Sequence, residues 1–149
     1  MDLIRATEQD IPALYELQLL AFESEAEMIG SRDVPALLES REHHRQDFPN
    51  WTTMKLVNDE GRIVGAIRYR PDGEIIDVGR LMVHPDYRHR GLAQQMLAEV
   101  DRACPDTIRE LYTCTKSWIN IRLYDKMGYH PVKEVTENSG LSFVYMRKP

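Results

Sequence analysis

Apolar residues recur at Ile11, Leu14, Leu17 and Ala21, the spacing of one helix face. Asp10 stands at a capping position and Pro12 falls in a first turn, so "TEQDIPALYELQLLAF" predicts a helix. The polar "ESEAEMIGSRD" that follows suits a loop or a short helix. "DVPALLESREHHRQDF" repeats the start signal, with Asp33 as cap and Pro35 just inside, and Pro49 ends this second helix. Leu92, Met96, Val100 and Ala103 share one face of a third helix, "LAQQMLAEVDRA", closed by Pro105. "INIRLYDKM" predicts a fourth.

Strands fall between these helices. "LIRA" is a short first strand. "TTMKLVN" and "RIVGAIRYR" flank the tight turn "DEG", and "PDG" is a further turn. "EIIDVGRLMVH" is apolar on both sides, as a buried central strand is. "IRELYTCT", the short "GYHPV" and "LSFVYMR" complete the set. The order is one strand, two helices, three strands, a helix, a strand, a helix and two strands. This is an α/β fold with a mixed sheet. The strands on either side of "LAQQMLAEVDRA" form a βαβ unit and should run parallel.

Composition narrows the function. The 149 residues suit a single domain spanning 1–149, without internal repeats or a flexible linker. Nineteen basic against twenty-four acidic side chains give a net charge of −5, which argues against a nucleic-acid partner. Cys104 and Cys114 form no CxxC pair, as expected in a reducing compartment. "MDLIRATEQD" shows neither a signal-peptide pattern nor an apolar run long enough for a membrane span. A cytoplasmic location is the expectation, with no membrane partner.

The chemistry concentrates where "DVGRLMVHPDY" hands over to a helix through "RHRGLA". A helix N-terminus offers unpaired N–H groups and the positive end of the helix dipole. Gly91 lets a ligand approach the backbone, and Arg88 and Arg90 add forked donors. Such a turn is either a solvated charged loop or a diphosphate cradle. It is neither a Walker loop nor a dinucleotide fingerprint.

Arg88-x-x-Gly91-x-Ala93, after "RLMVHPDY", resembles the acyl-CoA-binding motif of the GNAT superfamily of N-acetyltransferases. "NIRLYDKMGY", from Asn120 to Tyr129, resembles the family's later helix. The element order matches across nearly the whole chain. "AFESEAEMIG" with "TKSWINIRLYDKMGY" further resembles a bacterial subgroup. The resemblance implies a GNAT-like, mostly antiparallel sheet with a central splayed parallel strand pair, flanked by helices. It implies acetyl-CoA as donor and a primary amine of a small molecule as acceptor, and allows a homodimer; the sequence holds no Cys/His cluster, so no metal is expected.

Site residues carry over by position. Gly79 is the expected bulge. The backbone of Leu81, Met82 and Val83 maps to the pantetheine contacts. The N–H groups of Arg88, His89, Arg90, Gly91, Leu92 and Ala93 map to the diphosphate cradle, and Asn120 to a contact with the cofactor arm. Tyr124 falls on the family's Leu-Tyr position and is the candidate acid at the thiol. Asp77, eleven residues before Arg88, lies near where some members place a glutamate, and is the candidate base. Glu25 and Glu27 are rival bases and candidate substrate-binding residues, where acidity would suit a cationic amine such as a polyamine or aminoglycoside. The alternative is a CoA-binding module of the same fold, acting as a sensor with little catalysis. His43 and His44 lack the i, i+4 spacing of a helical metal pair. Cys114 reads as a small buried thiol, while Trp51 and Trp118 suit either core or cleft.

Overall fold

The computed structural model describes residues 1–149. Seven strands form one sheet in the order β1-β2-β3-β4-β5-β7-β6. They are β1 (Asp2–Arg5), β2 (Thr52–Val57), β3 (Ile63–Asp72), β4 (Ile75–Val83), β5 (Ile108–Cys114), β6 (His130–Thr136) and β7 (Ser142–Lys148). The helices are α1 (Ile11–Ile29), α2 (Pro35–Leu38), α3 (Arg41–Asp47), α4 (Leu92–Ala103) and α5 (Trp118–Lys126). Every strand pair is antiparallel except β4–β5, the pair joined through α4.

Two elements differ from their sequence reading. The first helix does not stop at Phe22 but runs through "ESEAEM" to Ile29, where Gly30 caps it at φ 76°. Ala, Glu and Met are strong helix formers, so this segment needs no apolar stripe to stay helical. The second helix is broken. Glu39 is extended at ψ 129°, and Ser40 opens α3 by accepting the His43 N–H at 3.0 Å. Tertiary bonds hold the break. The Tyr15 hydroxyl donates to the Glu39 carbonyl at 2.7 Å, and Gln18 Nε2 donates to the Ala36 carbonyl at 2.9 Å. One cap also moves: Val34, not Asp33, precedes α2. Asp10 holds the N-cap position of α1, but its side chain accepts from the Thr7 N–H and pairs with Lys55 at 2.9 Å rather than capping the helix.

The α4 stripe of Leu92, Met96, Leu97 and Val100 packs with Ile67, Val78, Leu111 and Tyr124 in the main core. Leu14, Leu17 and Ala21 of α1 pack with Ala66 and Met82. Val78 and Met82 would share a face of a regular strand. Here they join different clusters, because β4 carries a bulge. Ala66 pairs with Met82 and Arg68 with Gly79, so Arg80 and Leu81 oppose Ile67 alone. The left-handed residue of the bulge is Arg80 (φ 45°), not Gly79.

Glycine is needed elsewhere for closeness. A Cβ on Gly65 would sit 3.1 Å from Met96 Cε and 3.2 Å from the Met82 carbonyl oxygen. We expect Gly65→Ala to destabilise the protein by about 1–3 kcal/mol in chemical denaturation. Unchanged stability would mean that α4 yields freely at this contact.

Candidate active site

β4 and β5 hydrogen-bond only from Ile75 to Asp77 against Ile108 to Glu110. Beyond them the strands part, and the V between them is bordered by α1 and α5. Two cavities meet there. One, of about 290 Å³, lies on the side of α2 and α3 and reaches Asp77, Gly79, Arg80, Thr113 and Tyr124. The other, of about 250 Å³, runs toward the β4–α4 turn and reaches Val83, Arg88, His89 and Ala93. Phe22, Glu25, Leu81 and Asn120 border both.

The β4–α4 turn has the backbone of an anion cradle. His89 (φ 62°) and Gly91 (φ 74°) flank Arg90, and this alternation turns successive N–H groups toward one side. The twelve-residue α4 starts directly after Gly91. No protein atom would lie within 4 Å of a Cβ on Gly91, so the backbone angle, not packing, calls for glycine there. Arg88 borders the second cavity and its Nη2 lies 3.5 Å from the Ala21 carbonyl oxygen. Arg90 turns instead over the Tyr87 ring, 4.9 Å from its centroid. Leu92 is buried in the main core, so only its backbone faces the turn. These features fit a diphosphate with an extended arm running up the V.

Glu25 lies in the last turns of α1 rather than after it. Its Oε1 accepts from the Ser117 hydroxyl, from Asn120 Nδ2 at 3.2 Å and from the Thr113 hydroxyl at 3.5 Å. Burial pushes its carboxyl above the ordinary 4.5, and the three hydrogen bonds only partly offset that. Ser117 occupies the N-cap of α5 yet makes no side-chain capping bond; its hydroxyl is given to Glu25 instead. Ser117 and Thr113 were not legible as site residues, because helix caps and strand interiors use such hydroxyls routinely. Tyr124 is 6% exposed and lines the first cavity. Burial and the Glu25 charge push its phenol well above the usual range.

The remaining positions separate. Glu27 is exposed on α1 and borders neither cavity. Glu23 pairs with Arg32. The "ESEAE" segment therefore places one half-buried carboxylate, Glu25, at the cavities. Asp77 lies at the closed end of the V, 3.5 Å from Arg70, with its carboxyl raised by burial. Gly79 stays on the Asp77 side, but the bulge carries Leu81 into the cluster with α4, so the parity linking Asp77 to Leu81 is lost. Met82 packs under α1, and both Met82 and Val83 border the second cavity. Sequence reasoning also passed over Arg68, Arg70 and Arg80, all of which line the first cavity. The alternation in "RYR" was the available signal for the first two. No group of three or more His, Cys, Asp or Glu gathers as metal ligands would.

A mostly antiparallel seven-stranded sheet splayed at one parallel pair and flanked by helices defines an acyltransferase fold of the GNAT type. The chain belongs to that family: residues 23–149 match the acetyltransferase (GNAT) domain. The ribosomal-protein-S18-alanine N-acetyltransferase of Escherichia coli superposes with a TM-score of 0.79 at 15% identity, over 99% of this chain and 92% of that one. The PaiA N-acetyltransferase of Thermoplasma acidophilum, solved in complex with coenzyme A, gives 0.74 at 16% identity, over 99% and 97%. A curated relative, the UPF0157 protein YqkA of Bacillus subtilis, is 25% identical over 126 residues, 84% of this chain. The chain spans 36% of that relative's length. No helix is long and apolar enough to cross a membrane.

Proposed function

We propose that this protein is an N-acetyltransferase that moves the acetyl group of acetyl-CoA directly onto a primary amine. The meeting of the two cavities at Leu81, Glu25 and Asn120 carries the reading: it gives donor and acceptor separate entrances to one point. Acetyl-CoA supplies the activated acyl carbon and a thiol leaving group. The N–H groups from Arg88 to Ala93 bind its diphosphate, and the backbone of β4 from Leu81 to Val83 pairs with its arm. Asn120 reaches the arm from α5.

The acceptor must be neutral to attack, whereas an alkylamine has a pKa near 10.4 in water. Glu25 is the proton acceptor this geometry favours over Asp77. It borders both cavities, and its raised carboxyl is a stronger base than an ordinary one. As nitrogen bonds to the acetyl carbon and the carbon–sulfur bond breaks, Glu25 takes the amine proton, directly or through water.

Tyr124 donates a hydrogen bond to the sulfur. Its raised phenol makes full proton transfer to a thiolate of pKa about 8.5 uphill, so Tyr124 stabilises the leaving group rather than protonating it outright. The Tyr124→Phe variant is expected to lose about 10²-fold or more in kcat, with acetyl-CoA affinity little changed. Equal turnover would remove the phenol from the mechanism. The reading as a whole is tested by incubating the protein with acetyl-CoA and a broad panel of amines, following CoA release and acetylated product by mass spectrometry. Binding of acetyl-CoA with no acetylated amine would favour the CoA-binding module instead.

A further inference from the structure

Three guanidinium groups converge on the first cavity. Arg68 and Arg70 alternate along β3 and share a face, and both stack on Trp51, with their carbons 4.0 and 4.1 Å from the ring centroid. Arg80 comes from the β4 bulge, in a left-handed backbone conformation that side chains other than glycine rarely adopt. The bulge aims it at the α2–α3 break, 3.6 Å from Glu39.

None of the three closes on its neighbouring carboxylate. Arg68 stands 3.6 Å from Asp47, Arg80 3.6 Å from Glu39 and Arg70 3.5 Å from Asp77, and none of these pairs forms a hydrogen bond. Two of the carboxylates are engaged elsewhere. Glu39 accepts from Gln18 at 2.9 Å and meets His43 at 2.6 Å, while Asp47 accepts from Asn50 and from the Trp51 indole, both at 3.0 Å. Arg68 Nε and Arg80 Nε are buried with no partner. Away from the cavity Arg147 closes on Glu110 at 2.7 Å, and Arg109, whose Nε is also buried without a hydrogen-bond partner, still donates through its two terminal nitrogens to three carbonyls at 3.0 to 3.1 Å, whereas the terminal nitrogens of Arg68 and Arg80 close on nothing in the pocket. Burial and the Arg80 charge depress Arg68 to about 10, so the two arginines are held together against their own repulsion.

Open donor forks of like charge, buried beside a cavity, are built for an anion. Rested on the acetyltransferase reading above, we propose that the acceptor is an amine that also carries a carboxylate. Arg68 and Arg80 grip the carboxylate over the Trp51 face, and the amine is directed toward Glu25 in the V. Glu39, Asp47 and Asp77 lie close enough to leave the pocket near charge balance, which suits a monoanion better than a phosphate dianion.

The test needs no altered protein to begin. With acetyl-CoA present, α-amino acids and short ω-amino acids are compared with their own carboxamides, with spermidine and with phosphoethanolamine, by CoA release. An acid should exceed its carboxamide by about 10-fold to 100-fold in kcat/KM, the effect of charge-assisted hydrogen bonds, mainly through KM. In Arg80→Gln that preference should collapse while acetyl-CoA affinity stays unchanged. An acid used no better than its amide, or spermidine or phosphoethanolamine used in preference to every acid, overturns the carboxylate proposal and leaves the acetyltransferase reading standing. Acetyl-CoA binding with no CoA release for any amine overturns both.

Discussion

Glu25→Gln is expected to cost about 10²-fold to 10⁴-fold in kcat/KM and, at neutral pH, to raise the melting temperature. All three hydrogen bonds to this side chain end on Oε1, so glutamine keeps every one and removes only the charge. The stability change follows from the direction of the pKa shift. Because the folded carboxyl lies above the ordinary 4.5, the folded state holds that proton more tightly than the unfolded chain does. The stability this contributes is present below 4.5 and is lost as pH rises through the folded value. At neutral pH the wild-type protein therefore carries a buried charge that the variant lacks, and the difference in melting temperature should vanish toward about pH 4. The acidic limb of the kcat/KM profile should disappear with the carboxyl. Wild-type turnover in Glu25→Gln would return the role of base to Asp77 or to water.

Gly91→Val is expected to weaken acetyl-CoA binding by at least about 10-fold in calorimetry, while kcat at saturating donor falls less. The φ of 74° at Gly91 is strained for any side chain and worst for a β-branched one. Relaxing it would turn the N–H groups at the start of α4 away from their common focus. No protein atom contacts a Cβ there, so the main core should be little disturbed. Arg90→Ala makes the matched comparison: its guanidinium already rests on Tyr87, and the loss should be smaller. Intact binding in Gly91→Val would put the cradle elsewhere.

The helix and strand order, the βαβ unit and the strand–turn–helix at "RHRGLA" were legible because each rests on local spacing. Two of the errors, the α2–α3 break and the bulge, share a cause, which is that nonlocal contacts overrode local pattern. The last turns of α1 follow from the helix propensity of "ESEAEM"; they bury Ala26 and Ile29 and carry Glu25 to the V. The α2–α3 break depends on hydrogen bonds from Tyr15 and Gln18, more than 15 residues away in sequence. The bulge sits at Arg80 beside the expected Gly79, and that one residue reassigns Leu81 and Met82 to opposite faces.

By itself the sequence determined the α/β class, the family resemblance and the strand–turn–helix at "RHRGLA", since periodicity and a glycine before a helix are read one residue at a time. Only the tertiary structure decided which carboxylate borders both cavities and that three arginines line the first cavity with open donors. Those facts depend on residues far apart in the chain, brought together by the strand splay and the bulge, and on burial, which no local pattern records.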